Sequence, residues 1–290
     1  MPQGVSDPMP QRIRAFLPRP DCDLYYEVTG RGPALIFAHG LGGNHLSWWQ
    51  QVAFFAERYT CITFAHRGFS PSRLRSGPPE PAAFADDLGA LVDHLGLDRV
   101  SLVAQSMGGW SCLGYALREP ARVKALVLAA TSGVVDYQRI THPEVSRLSA
   151  WAERAQAAVA ALRRQGIHPA AGARMAREQP ARHFLYRAID DLSLGLDKET
   201  LRGKLVAART QLPDVVGRLG MPVLLIVGEE DVIFPPGAAL ALASILPNAR
   251  IERIPEAGHS VYFERPELFN RLVQTFLAAA IGEAEPPRNA

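Results

Sequence analysis

Short apolar runs, bounded by glycine, proline and charge, alternate along the chain with longer stretches in which apolar residues recur every three to four positions. The runs at 60–64, 100–104, 125–130, 223–227 and 250–254 are, taken together, rich in Val, Ile and Leu. Such runs predict strands covered on both faces, hence a parallel sheet. Residues 23–29 and 34–38 flank the turn Gly30-Arg31-Gly32-Pro33 and predict an opening hairpin. Helical periodicity over 45–58, 82–95, 107–118, 238–246 and 266–280 supplies the intervening layer. The order strand, helix, strand predicts the α/β class: a mostly parallel sheet with helices on both faces.

The alternation fails once. From about residue 131 to 220 the chain offers only helical, arginine-rich segments, punctuated by Pro143, Pro169, Pro180 and Pro213. The sheet needs the strands that follow, so this stretch predicts an inserted helical cap, residues 133–213, over a core built from 1–132 and 214–290. The proline-containing, polar tail 282–290 predicts disorder. No internal repeat is present.

Composition narrows the partners. The chain has 290 residues, 48% hydrophobic and 21% charged, enough for one large α/β domain with an insertion. A formal net charge of +2, with Lys and Arg dispersed, argues against a nucleic-acid partner. Every apolar run is interrupted well before the ~20 residues needed to span a bilayer, so no membrane association is expected. The first twenty residues lack an apolar segment followed by a small-residue cleavage site. Cys22, Cys61 and Cys112 have no metal-ligand spacing and read as free thiols of a cytoplasmic protein. Nothing in the sequence calls for a metal or an organic cofactor, and it is silent on oligomeric state.

The chemistry concentrates where strands meet helices. Residues 100–104 run through Gln105-Ser106-Met107-Gly108-Gly109 directly into a helix. A nucleophile on such a turn needs small neighbours, supplied by Ala104, Gly108 and Gly109, and the turn presents its side chain outward. The Met107 N–H then lies at a helix N-terminus, where partial positive charge favours an anion. His39-Gly40-Leu41-Gly42-Gly43 follows another strand, and the Leu41 N–H is the natural second donor to that anion. A serine nucleophile needs a base. Of eight histidines, His259 stands between the last strand and the last helix, at the sheet edge expected for Ser106. His45, His94, His142, His168 and His183 read as surface or packing residues, and His39 and His66 as loop-shaping ones. Asp231, after the strand 223–227, is the carboxylate best placed to orient His259, with Glu229 and Glu230 as rivals.

As a set, these segments, with Arg67-Gly68-Phe69, resemble the α/β-hydrolase superfamily over about residues 25–280. The resemblance implies an eight-stranded sheet, a lid over the site, and Ser106, Asp231 and His259 as a catalytic triad. The chain departs from the common pattern at Ala65 and Ser70, where many relatives carry an aspartate beside the oxyanion loop and a glycine, and at Ala104, where a glycine is usual.

The expected activity is cleavage of a small carbonyl substrate, an ester or lactone, through an acyl-enzyme. The rivals are C–C bond hydrolysis on the same triad and a ligand-binding relative with little turnover. Ser260, where C–C hydrolases of this type carry tryptophan, weighs against the first. His39, Gly40, Gln105, Trp110, Phe184, Tyr186 and Val232 are the candidate substrate contacts. Nine arginines between residues 139 and 187 predict a solvated helical face rather than a carboxylate-collecting surface.

Overall fold

The computed structural model describes residues 12–282. The expectation of a disordered tail therefore lies, beyond Gly282, outside the described residues. The chain opens with β1 (Ile13–Pro18), β2 (Cys22–Thr29) and β3 (Ala34–Ala38). Next come α1 (Trp49–Phe55), β4 (Thr60–Phe64), the two-residue β5 (Arg73–Leu74) and α2 (Phe84–His94). The central motif is β6 (Val100–Gln105), α3 (Gly108–Arg118) and β7 (Val123–Ala129). After β7 the chain is helical: α4 (Leu148–Arg164), α5 (Gly172–Glu178), α6 (Pro180–Asp191), α7 (Lys198–Ala207) and the short α8 (Pro213–Val216). The sheet resumes with β8 (Val223–Gly228), α9 (Pro236–Ile245), β9 (Ala249–Ile254), α10 (Val261–Glu264) and α11 (Pro266–Ile281).

The strands lie in the order β1-β2-β4-β3-β6-β7-β8-β9, a path of eight, with β5 added alongside β2 as a ninth. Every pair from β4 to β9 is parallel, and β2 runs antiparallel to both β1 and β4. One expectation is corrected here. Residues 23–29 and 34–38 do not form a hairpin: β3 lies between β4 and β6, and β2 instead pairs with β1. The turn at Gly30-Arg31-Gly32-Pro33 carries the chain past β4, with Gly30 and Gly32 at positive φ against the Ala56, Arg58 and Tyr59 backbone. β1 escaped notice because Ile13-Arg14-Ala15-Phe16 faces solvent at the sheet edge and lacks a buried run.

Alternation along the central strands splits the core between the two faces of the sheet. Ile36, Leu102, Leu126 and Leu225 point toward α2, α3 and α9, where Leu88, Leu91, Leu113 and Leu242 meet them. Phe37, Val103, Val127 and Ile226 point the other way, against Phe55 of α1 and Phe269, Val273 and Leu277 of α11. Because both faces are covered, these strands read in sequence as continuous apolar runs.

Phe37 is fully buried between Trp48 and Phe55, with ring centroids at 5.2 and 6.2 Å. Phe37→Ala is expected to lower the unfolding free energy by about 3–5 kcal/mol, since the surrounding rings cannot collapse into the space. Urea denaturation measures this directly, and a loss well under ~1 kcal/mol would show that this face of the sheet is loosely filled.

Candidate active site

The C-terminal ends of β3, β6, β7 and β8 point the same way, and their following loops meet above the sheet. Ser106 is the first residue beyond β6 and adopts φ 49°, the left-handed region that side chains other than glycine seldom enter. Its backbone N–H is held by the Ala129 carbonyl at 3.0 Å, so the turn is fastened to the neighbouring strand. Gly108 makes the turn sterically feasible: a Cβ there would stand 2.2 Å from the Ala38 carbonyl oxygen. Ala104, the departure from the usual glycine, is buried without disturbing this geometry.

His259 Nδ1 lies 2.9 Å from Asp231 Oδ2. The other Asp231 oxygen accepts the N–H groups of Ile233 at 2.7 Å and Phe234 at 2.9 Å. Both side chains are buried and both carboxylate oxygens are engaged, so Asp231 can orient the imidazole without help from water. The sequence rivals are engaged elsewhere: Glu229 pairs with Arg253 and Glu230 with Arg174. The two loops approach closely because of Gly228, where a Cβ would stand 2.1 Å from the Gly258 carbonyl oxygen. The loop around His259 is clamped from below. Glu264 accepts from Gly258 N–H at 2.8 Å and Ser260 N–H at 3.1 Å, and Gln105 Nε2 donates to the His259 carbonyl at 3.3 Å.

The glycine loop after β3 is organised by His39. Burial pushes the His39 pKa down to about 3, so the ring is neutral. Its Nε2 sits 2.9 Å from the His66 backbone N–H, which can only donate, leaving the ring proton on Nδ1. Nδ1–H then donates to the Gly40 carbonyl at 2.8 Å. In a trans peptide the C=O and the following N–H point to opposite sides, so this bond turns the Leu41 N–H away from His39. Ala65 is therefore no gap. It is fully buried with Phe69, Phe84, Met107 and Trp110, and the adjacent His66 main chain performs the bracing.

A cavity of about 700 Å³ lies over these loops. Leu41, Gln105, Ser106, Met107, Trp110, Tyr186, Val232 and His259 all line it, which brings together most of the residues singled out from sequence. His39 and Gly40 stand behind the wall: His39 is wholly buried, and a Cβ on Gly40 would meet Gln105 Oε1 at 2.0 Å. Phe184 is a correction. It is 74% exposed, because on α6 the buried positions are Tyr186 and Ile189, and a residue two before Tyr186 faces the opposite side. Tyr186 itself accepts from the Ser260 hydroxyl at 3.1 Å, tying the inserted helices to the loop of His259. Sequence reasoning missed Phe234 and Arg209 as cavity residues, and read His168 as a surface or packing residue although it lines the cavity. Phe234 follows Asp231 closely enough to have been anticipated; Arg209 carried no local signal.

Cys22, Cys61 and Cys112 are buried free thiols, and burial raises the pKa of each. Among the described residues, no group of three or more His, Cys, Asp or Glu is placed to hold a metal ion, and no helix is long and apolar enough to cross a membrane.

Glu264 yields a pH prediction. Burial raises its pKa from 4.5 to about 7, outweighing the two N–H groups that favour the anion. Between those values the folded protein keeps a proton that the unfolded chain releases, so this group's contribution to stability is full below pH 4.5 and declines as pH rises to about 7. Glu264→Gln removes that dependence. Urea unfolding from pH 4.5 to 8 should show wild type losing stability relative to the variant up to about pH 7 and a constant gap above it. Parallel profiles would mean that the backbone donors, not burial, set the charge of Glu264.

A family model described as the α/β-hydrolase fold matches residues 33–266. The 3-oxoadipate enol-lactonase 2 of Acinetobacter baylyi is 28% identical over 270 residues, covering 89% of this chain and 94% of its own. A putative carbamate hydrolase, RutD, of a Caulobacter species is 31% identical over 283 residues, 90% of this chain and 97% of its own. A thermophilic esterase from Thermogutta terrifontis superposes with a TM-score of 0.70 at 26% identity, covering 93% of this chain and 99% of that one. With the serine on its strand-to-helix turn and the matched span running from the glycine loop to the last helix, the chain belongs to the α/β-hydrolase fold family.

Proposed function

We propose that this protein is a serine hydrolase that cleaves a small carboxylic ester or lactone through an acyl-enzyme. The observation that carries the reading is the convergence of Ser106, on its left-handed turn, and the His259–Asp231 pair on one cavity. His259 Nε2 takes the proton of Ser106 Oγ as that oxygen attacks the carbonyl carbon. Asp231 holds the imidazole in the tautomer with its proton on Nδ1 and stabilises the imidazolium that forms. The Leu41 and Met107 N–H groups receive the negative charge on the carbonyl oxygen, each worth about 3 kcal/mol in the transition state. Collapse of the tetrahedral intermediate expels the alkoxide, which takes the proton back from His259. Water, deprotonated by the same imidazole, then releases the acyl group.

The relatives support this class of reaction, since their names describe an enol-lactonase, a carbamate hydrolase and an esterase. Residues 133–213 serve as a lid in this reading, with Tyr186 and Trp151 closing the cavity above Ser106. No cofactor enters any step. Three buried free thiols support a reducing, cytoplasmic setting.

Ser106→Ala is expected to lower turnover of p-nitrophenyl esters by up to ~10⁶-fold while leaving the unfolding midpoint near that of wild type. A fluorophosphonate should label wild type at Ser106 and leave the variant untouched. Labelling without ester turnover would redirect the search toward C–C cleavage or a binding role, and retained turnover in the variant would remove Ser106 from the mechanism.

A further inference from the structure

Of the cations that line the cavity, all but two have an evident partner. Lys198 pairs with Asp190 at 2.5 Å, Arg202 with Glu199 at 2.6 Å, and Arg187 donates to the Gly166 carbonyl at 3.2 Å. Arg163 is exposed to water. Among the described residues Arg209 has no carboxylate partner, and it is only partly exposed. Its guanidinium carbon lies 5.2 Å from the ring centroids of both Trp110 and Tyr137, and its one hydrogen bond is a long one, Nη1–H to the Tyr137 hydroxyl at 3.4 Å. Its Nε is buried without an acceptor, and among the described residues no Asp or Glu comes within ion-pair distance of it. The nearest carboxylate to influence it, Asp136, turns its side chain to the Gln138 N–H instead.

The position of Arg209 is built rather than incidental. Two residues on, Gln211 clasps the other stem of the inserted helices: its N–H donates to the Val134 carbonyl and its carbonyl accepts from Asp136 N–H, both at 3.0 Å. Trp110, which carries one face of the guanidinium, stands on the first turn of α3, immediately after Ser106. The cation is thus fixed on the wall that the nucleophile shares. Desolvation lowers its pKa from the usual arginine value, a sign that burial is uncompensated, yet an arginine remains charged at any physiological pH. An unpaired buried cation works against the folded state unless something supplies the anion.

We infer that Arg209 anchors a carboxylate of the substrate, so that the bond cleaved at Ser106 belongs to an anionic ester or lactone. Nη1 is taken by Tyr137 and Nε is closed off, so Nη2, which has no hydrogen bond among the described residues and is not closed off, is the group that receives a carboxylate oxygen. The aromatic faces of Trp110 and Tyr137 exclude water from that pairing and so strengthen it. This inference takes the position of the scissile bond from the hydrolase reading, but the anion site stands on Arg209 alone.

The test compares the p-nitrophenyl hemiester of adipic acid with p-nitrophenyl hexanoate, which differ by a carboxylate in place of a methyl group. Wild type is expected to favour the hemiester in kcat/KM, and Arg209→Gln to lower that ratio by about 10- to 100-fold, mainly through KM. Arg209→Lys, which keeps the charge but not the fork, should fall between them. Thermal unfolding supplies a reading that needs no turnover. Adipate, but neither phosphate nor adipamide, should raise the midpoint of Ser106→Ala, and the added Arg209→Gln change should abolish that rise. Without ligand, Arg209→Gln should itself melt higher than wild type, because it removes an unpaired buried charge. An unchanged ester ratio, or a lower melting variant with no response to adipate in its parent, would overturn the inference and leave Arg209 as a structural brace. Stabilisation by phosphate instead of adipate would overturn the carboxylate assignment. If neither ester turns over while adipate still stabilises only protein carrying Arg209, the anion site stands and the ester-hydrolase reading falls.

Discussion

The turn between β6 and α3 is the constraint on which the rest of the site depends. Holding Ser106 at φ 49° costs on the order of 1–2 kcal/mol for a residue with a side chain, and the turn persists because its surroundings leave no alternative. The Ala129 carbonyl fixes the Ser106 N–H, and Gly108 lets the start of α3 pass against the end of β3. Because β3 and β6 are parallel neighbours, with Ala38 opposite Ala104, the glycine loop after β3 must emerge beside Ser106. The parallel order continues through β7 to β8, which brings the Asp231 loop to the same edge. Sheet topology thus does the coarse positioning, and close approaches of backbone at Gly108 and Gly228, and of the Gln105 side chain at Gly40, set the final distances.

Within that frame, polar side chains act mainly on the main chain. His39 fixes one peptide plane, Glu264 two N–H groups around His259, and Asp231 two N–H groups of its own loop. Such bonds order the loops before a substrate arrives, so the electrostatic work of a reaction needs little reorganisation. Arg67 plays the corresponding part beneath the loops. Its guanidinium binds both oxygens of Asp87 on α2 and also reaches Asp21, which pins the segment carrying Ala65 and His66. Ala65 offers His39 no polar side chain, and the ring is held instead by the backbone N–H of the next residue, His66, which donates to its Nε2.

Much of this was legible in the sequence because buried parallel strands and tight strand-to-helix turns leave local signatures. β6 with Ser106 and β8 with Asp231 were each placed from a continuous apolar run followed by small or acidic residues, and the loop of His259 from its place between the last strand and the last helix. What escaped depended on partners distant in sequence. The chain passes from β2 to β3 without pairing them, since hydrogen bonding is decided by β4 and β6, which lie 26 or more residues further on. Phe184 looked like a pocket aromatic, but the rotation of α6 against the core was set by Tyr186 and Ile189. Arg209 was invisible for the same reason: its meaning lies in the absence of a carboxylate, and no local pattern shows an absence.

The two parts of the cavity wall are built to different standards. Residues from the sheet edge are locked by backbone bonds and sit on elements packed into the central core. Residues from the inserted helices reach the cavity from a segment whose two ends are tied to each other by an isolated bridge, Val135 with Gln211, and which meets the sheet domain through side-chain contacts such as Tyr186 with Ser260 and Arg174 with Glu230. Substitution in the inserted segment can therefore reshape the cavity at little cost to the geometry of Ser106, whereas the reverse does not hold. On the proposed reading, an enzyme so divided keeps one reaction while its substrate preference shifts, because the groups proposed to stabilise charge lie at the sheet edge and those proposed to recognise the rest of the molecule lie largely on the inserted helices. Arg209 stands at the foot of the inserted segment, two residues before the bridge that closes it, and stacks on Trp110 of α3, where the proposed recognition is coupled most directly to the position of the reacting carbonyl.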